Sequence, residues 1–340
     1  MTWAWGEAVV VFGTAAVATA LLTPVVRRYL VWRQLLDHPS ARRSHQTPTP
    51  RGGGLALMVV YGSGIVTLYT AGLLDSALYY ALLGAGAVVS LVSVVDDHRP
   101  VAQHWRLAAH IVAAAWLLYC LGIPQSIAFP GGGVVYALFW GLGLVWLINL
   151  YNFMDGIDGL AAGETLCVAV LAVGLLGVGT LSGLLLLIAG GCAGFLLWNR
   201  PPARIFMGDS GSCLLGLLWG AVILEGSQHD AMPVWVWLIL LGVFWVDASW
   251  TLLWRLFTGQ RWWQAHRQHA YQHAAQRYGH GTVTIGAMLV TLVWLGPWAY
   301  WAIRQPQWGI LAWVFAWAPL ILLAIIFRAG RAQTPTGAAE

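Results

Sequence analysis

Apolar runs of close to membrane-spanning length recur along the chain, separated by short polar breaks rich in Arg, Asp, His and Gly. A helix needs about 20 residues to cross the hydrocarbon layer, so this pattern predicts membrane helices rather than alternating strands. The runs fall at about 7–26, 53–73, 77–95, 106–122, 133–151, 160–178, 182–198, 212–226, 233–254, 282–302 and 308–327. The predicted fold is all-α, a polytopic membrane protein with about eleven transmembrane helices. Residues 1–330 form one integral-membrane domain and 331–340 a short polar tail, with no repeat of fixed period.

Orientation follows from the arginines. All 17 cationic residues are Arg. Arg27 and Arg28 follow the first run, and only Met1 to Glu7, with no basic residue, lie before it, which predicts an uncleaved first span with its N-terminus outside. Eleven crossings from that start put 27–52, 96–105, 152–159, 199–211, 255–281 and the C-terminal tail in the cytoplasm. Sixteen arginines fall on or beside those segments, and Arg304 alone falls opposite.

Composition narrows the class. The chain is 59% hydrophobic and 9% charged, where a soluble domain carries about 25% charged residues. Soluble enzymes, secreted disulfide scaffolds and disordered proteins are excluded. The net charge of +4 is accounted for by topology and anionic ligands, and no nucleic-acid-binding motif is present. Cys120, Cys167, Cys192 and Cys213 sit in apolar runs and read as small apolar residues.

Orientation requires arginine but gains nothing from aspartate, so the acids on the same face need a separate explanation. Asp96-Asp97 close a predicted helix. Adjacent carboxylates at a helix C-terminus repel each other and the dipole, which favours a cation partner, either Mg²⁺ or Arg99 or Arg106. Asn152, Asp155 and Asp158, interleaved with Gly156 and Gly159, can converge on one ligand or form an ordinary Asx/Gly turn. In Phe206-Met207-Gly208-Asp209-Ser210-Gly211-Ser212, small residues and hydroxyls at a helix entry make an anion cradle. Asp209 there calls for a bridging cation or serves as an N-cap.

Two further loops carry His and Arg. His266, Arg267, His269 and His273 suit diphosphate oxygens better than zinc, or else contact anionic headgroups. The segment with His45, Thr47, Arg51 and the glycines 52–54 offers close approach to a phosphorylated ligand. Asp247, inside an apolar run, is a functional candidate or a buried hydrogen-bond partner.

Together, Val95-Asp96-Asp97, Asn152-x-x-Asp155-Gly156-x-Asp158-Gly159, Phe206-Met207-Gly208-Asp209-x-Gly211-Ser212 and the His-rich fourth loop resemble the polyprenyl-phosphate N-acetylhexosamine-1-phosphate transferases, over residues 38–280. Pro50-Arg51-Gly52-Gly53-Gly54 and Ala265-His266-Arg267-x-His269 look like the branch that starts bacterial O-antigen or related surface polysaccharides. They look less like the peptidoglycan branch, whose fourth loop carries consecutive histidines. The resemblance implies Mg²⁺, with Mn²⁺ as substitute, a UDP-N-acetyl sugar donor, undecaprenyl phosphate as acceptor, and UMP as a product. It also implies an inner-membrane location with a cytoplasmic active site, and fits a homodimer. A 6-deoxy sugar is favoured on the branch likeness. By motif position, Asp209 is the metal ligand, Asp96 and Asp97 are the catalytic or metal-adjacent pair, and His266, Arg267 and His269 join the catalytic set. Asn152, Asp155 and Asp158 lie on the nucleotide side, and Phe206 and Met207 flank the uracil. His45, Thr47, Arg51, Gly208 and Ser210 complete the substrate contacts. A lipid flippase is the competing class, although its polar groups would sit near the midplane.

Overall fold

The computed structural model describes residues 5–37, 48–124, 133–177, 179–229, 231–261, 263–264 and 266–332. Among them the chain is nearly all α: α1 (Trp5–Trp32), α2 (Gly54–Thr70), α3 (Ser76–His98), α4 (Gln103–Leu121), α5 (Gly133–Met154), α6 (Leu160–Leu176), α7 (Thr180–Asn199), α8 (Asp209–Gln228), α9 (Val234–Leu240), α10 (Gly242–Phe257), α11 (Ala270–Tyr278), α12 (His280–Leu289), α13 (Gly296–Arg304) and α14 (Gly309–Ile326). A π-helical turn, Val290–Leu295, joins α12 to α13. Seven helices are long and apolar enough to cross a membrane, or eight if the bent pair α9–α10 is one span. Each of the eleven apolar runs is helical, but α2 and α6 are shorter than a full span, and α4, with polar residues in its first turns, is not among the seven.

The bundle is built around α8, buried along nearly its whole length and walled by α2, α3, α5 and α7. Backbones meet where side chains are absent: a Cβ on Gly54 would lie 2.0 Å from the Gly211 nitrogen, so only glycine lets α2 begin against α8. The outer helices show the reverse pattern. Val17, Leu21 and Val25 of α1 and Leu322 and Ile326 of α14 are exposed, as lipid-facing positions should be.

The structure corrects two sequence expectations. Residues 233–254 do not form one straight span: α9 and α10 meet at 83°. Leu241 adopts φ −87°, ψ 12°, and Trp317 donates its indole N–H to the Leu238 carbonyl at 2.9 Å, near the helix end that the break creates. Within the fourth loop a short helix, α11, forms. The first loop contains a two-stranded antiparallel ribbon, β1 (Leu36–Asp37) with β2 (Thr49–Pro50), pairing Leu36 with Pro50. This ribbon leads Arg51 into a bridge with Phe206 and so carries the first loop onto the start of α8.

Candidate functional site

Three loops converge at the N-terminus of α8. Gly208 stands at its N-cap with φ +74° and no side chain, so the helix cannot cap itself. Asp97, from the end of α3, supplies the cap: its Oδ1 accepts the Asp209 N–H and its Oδ2 the Ser210 N–H, both at 3.0 Å. A Cβ on Gly208 would lie 2.7 Å from Asp97 Oδ1, so glycine is required for this approach.

Two arginines stitch the acids together. Arg51 donates to Asp209 Oδ1 and lies 3.3 Å from Asp97 through Nε. Arg106, at the start of α4, donates through Nη1 to Asp96 Oδ2 at 2.9 Å and to Asp209 Oδ2 at 3.0 Å. Asp96 Oδ1 also accepts the Val101 N–H at 2.6 Å. The carboxylates are largely buried, while Arg51 is 39% and Arg106 32% exposed. Burial opposes the charge on Arg51, but Asp209 and Asp97 outweigh it and hold the guanidinium above its ordinary pKa. Arg106 was read from the sequence only as a partner for Asp96-Asp97. Its position one helix start beyond that pair was the available signal that it belongs to the site.

Around this centre, Asn152 donates to Ser212 Oγ at 3.2 Å. Asp155 has its pKa raised well above the ordinary carboxylate value, first by burial and then by the charge of Asp209. Ser210 contributes its backbone N–H, and its hydroxyl is buried without a partner among the described residues. Phe206 is half-buried on the bridge to Arg51.

Other candidates fall elsewhere. Met207 is fully buried, where a Cβ on Gly211 would meet its side chain. Asp158 lies in a separate knot: Oδ1 is 3.2 Å from His280 Nδ1, Oδ2 accepts the Ala203 N–H at 3.0 Å, and its carbonyl accepts the Thr284 hydroxyl at 2.8 Å. His45 and Thr47 lie outside the described residues.

The fourth loop adjoins through residues 153–156. Tyr271 donates its hydroxyl to the Phe153 carbonyl at 2.8 Å, and a Cβ on Gly156 would collide with that hydroxyl. His266 and His269 stack with ring centroids 5.0 Å apart. Burial, then His269 and Arg255, push His266 down to about 3. Arg267 is half-buried beside them. His269 Nδ1 lies 3.1 Å from the buried Asp247.

A hard divalent cation takes oxygen ligands, and Asp96, Asp209 and the Asn152 amide supply that chemistry. Asp97 stands in the same cluster with its oxygens receiving the two N–H groups of the α8 terminus, as those of Asp96 and Asp209 receive Val101 and the arginines, and each of these oxygens keeps a second lone pair. Among the described residues no three His, Cys, Asp or Glu side chains are disposed as a ready metal cage. These carboxylates fit a cation site completed by ligand oxygens, beside Arg51 and Arg106, which are ion-paired to the same acids.

This defines an α-helical membrane protein with a cluster of carboxylates and guanidiniums at one end of its bundle. The sequence model of glycosyl transferase family 4 matches residues 79–227, which include Asp96, Asp97, Asn152, Asp155, Asp158 and Asp209. A phospho-N-acetylmuramoyl-pentapeptide-transferase of Moorella thermoacetica is 36% identical over 65% of this chain and 76% of its own length. The chain belongs to this family, the polyprenyl-phosphate N-acetylhexosamine-1-phosphate transferases. A decaprenyl-phosphate N-acetylglucosaminephosphotransferase of Mycolicibacterium smegmatis is 36% identical over 61% of the chain, and the match spans 57% of that relative. A probable undecaprenyl-phosphate N-acetylglucosaminyl 1-phosphate transferase of Bacillus subtilis is 27% identical over 74% of the chain and 73% of its own length.

Proposed function

We propose that this protein transfers an N-acetylated sugar-1-phosphate from a UDP-sugar to undecaprenyl phosphate, releasing UMP, with Mg²⁺ as cofactor. The observation that carries this reading is the convergence of Asp96, Asp97 and Asp209 with Arg51 and Arg106 on one helix terminus. Phosphoryl transfer depends mainly on positioning and charge neutralisation, and this cluster offers both. Mg²⁺ bound by Asp209 and Asp96 would neutralise phosphate charge. Arg51 and Arg106 are then the groups to hold phosphate oxygens, and Asp97 keeps the cradle of α8 in place.

The acceptor needs little help from a base. A phosphomonoester has a second pKa of about 6, so near neutral pH it is already largely a dianion able to attack the sugar-linked phosphorus directly. In the membrane, the reading retains eleven crossings, an outside N-terminus and a cytoplasmic site in a bacterial inner membrane, because sixteen of 17 arginines share the face of these loops. The fourth-loop pattern His266-Arg267-x-His269 supports a role in starting O-antigen or a related surface polysaccharide, with a 6-deoxy N-acetylated donor. The Moorella relative keeps the sugar-peptide donor of peptidoglycan synthesis as the second reading.

The test is UMP release by purified protein with undecaprenyl phosphate and Mg²⁺, across UDP-linked N-acetylglucosamine, N-acetylgalactosamine, N-acetylfucosamine, N-acetylquinovosamine and N-acetylmuramoyl-pentapeptide. Release from a simple or deoxy sugar is expected. Turnover of the pentapeptide donor alone would move the protein to the other branch. No release from any donor, combined with movement of a lipid-linked substrate across vesicles, would favour the flippase class.

A further inference from the structure

Asp247 lies in the second turn of α10 beyond the bend and is buried within the apolar bundle. A carboxylate there is costly unless its oxygens are satisfied. Four donors converge on it. Oδ1 accepts the Ala270 N–H at 3.0 Å and the Thr251 hydroxyl at 3.2 Å, and lies 3.1 Å from His269 Nδ1. Oδ2 accepts the Tyr271 N–H at 2.8 Å. Ala270 and Tyr271 open α11, so their N–H groups have no partner within that helix, and Asp247 serves as a cap supplied from another helix.

The donor count also decides the chemistry of His269. A carboxylate that already receives two backbone N–H groups and a hydroxyl acts as an acceptor, so the ring nitrogen facing it must carry a hydrogen. Neutral His269 is then the Nδ1–H tautomer, with its lone pair on Nε2. The ring plane is held by His266 stacked on it, and by Phe153 and Tyr271, whose centroids lie 6.2 and 5.6 Å away.

We propose that Asp247 is the positioning residue of the fourth loop: it docks the start of α11 and fixes the His269 tautomer, leaving the Nε2 lone pair as the group that takes the residual proton of the acceptor phosphate, the phosphate O–H breaking as the Nε2–H forms. Only that last step rests on the transferase reading. The bend between α9 and α10 sets the direction of α10, and with it the place where Asp247 meets α11.

The experiment has two readouts. In ¹⁵N-histidine-labelled protein in nanodiscs, with the His269 signal assigned from the His269→Gln variant, wild type should give the Nδ1–H signature near pH 8. In the UMP assay, Asp247→Asn should lower kcat by about 10–100-fold with little change in KM, in line with other partners that orient a histidine. Asp247→Glu should recover part of that loss. In a His269→Gln background Asp247→Asn should cost little more, because the two act as one unit. An Nε2–H signature in wild type, fully additive losses, or a Glu variant no better than Asn would each overturn the proposal. Should Asp247→Asn fail to fold, the wild-type spectrum and the Glu variant still decide it. An inactive wild type would overturn the transferase reading and leave the tautomer result standing.

Discussion

Asp158 and Asp155, three residues apart in one loop, have opposite surroundings. Asp158 has a partner for each oxygen, His280 on one side and the Ala203 N–H on the other. Asp155 has no hydrogen-bond partner among the described residues; burial and the charge of Asp209 raise its pKa against the opposing charge of Arg51. Asp247 repeats the first arrangement with four donors, while Asp96, Asp97 and Asp209 share with Asp155 the crowding of like charges, held together by two arginines and three backbone N–H groups. A carboxylate in the first setting ties loops together at low cost. A crowd of carboxylates is kept where a cation or a charged reactant will use it, which is the usual reason that perturbed acids gather at working sites.

The sharpest way to break this contrast is at the centre of the crowd. Asp209→Asn should reduce UMP release by about a thousandfold, since one charge there organises both arginines and the candidate metal site. Size-exclusion profile and folded yield should stay close to wild type. Retention of most activity at ordinary Mg²⁺ would show that the crowd is structural. Gly208→Ala comes next. It forces a side chain into positive φ and against Asp97, so the cap and its arginine shift, and turnover should fall up to about a hundredfold. Steady-state assays beside a thermal melt would separate misplacement from unfolding; a melt lowered without loss of turnover per folded molecule would remove Asp97 from the site.

Much of this was legible in the sequence because the signals were local. Apolar length marked all eleven helical runs, and like-charge pairs such as Asp96-Asp97 are conspicuous without any structure. What was not legible depends on which loops meet. The division between Asp155 and Asp158 needs His280, more than a hundred positions away in the chain. The role of Asp247 needs α11, a nine-residue helix whose polar sequence gives little sign of itself before it is docked. The kink after Leu240 was hidden because an apolar run reads alike whether straight or broken, and its stabilising contact comes from Trp317 on another helix. Met207, which the family likeness puts beside the uracil, is fully buried in the structure, a depth that a motif does not reveal.

The partnered member of the pair should fail by losing stability. Asp158→Ala leaves the Ala203 N–H without its acceptor and His280 without its carboxylate, a loss of about 1–3 kcal/mol. Thermal or denaturant unfolding in detergent should register it, while turnover per folded molecule stays within a few-fold of wild type. A large fall in turnover with an unchanged melt would put Asp158 back among the substrate contacts.

The unpartnered member should respond in the opposite direction and by the smallest amount. Burial and the charge of Asp209 raise the Asp155 pKa well above its ordinary 3.8 in the folded state. Between the ordinary and the raised value the folded protein therefore binds more protons at this site than the unfolded chain does, and stability falls as pH rises through that window. Below the ordinary value both states are protonated and the site contributes nothing to the difference. Above the raised value the penalty is complete. Asp155→Asn removes the penalty, so the variant should melt higher than wild type at pH 8 and match it near pH 4, and its melting temperature should fall less between those limits. Melts at closely spaced pH values would check this. Parallel curves for wild type and variant would mean that the Asp155 carboxylate ionises in the fold as freely as in water, and the distinction between the two acids would then rest on Asp158 alone.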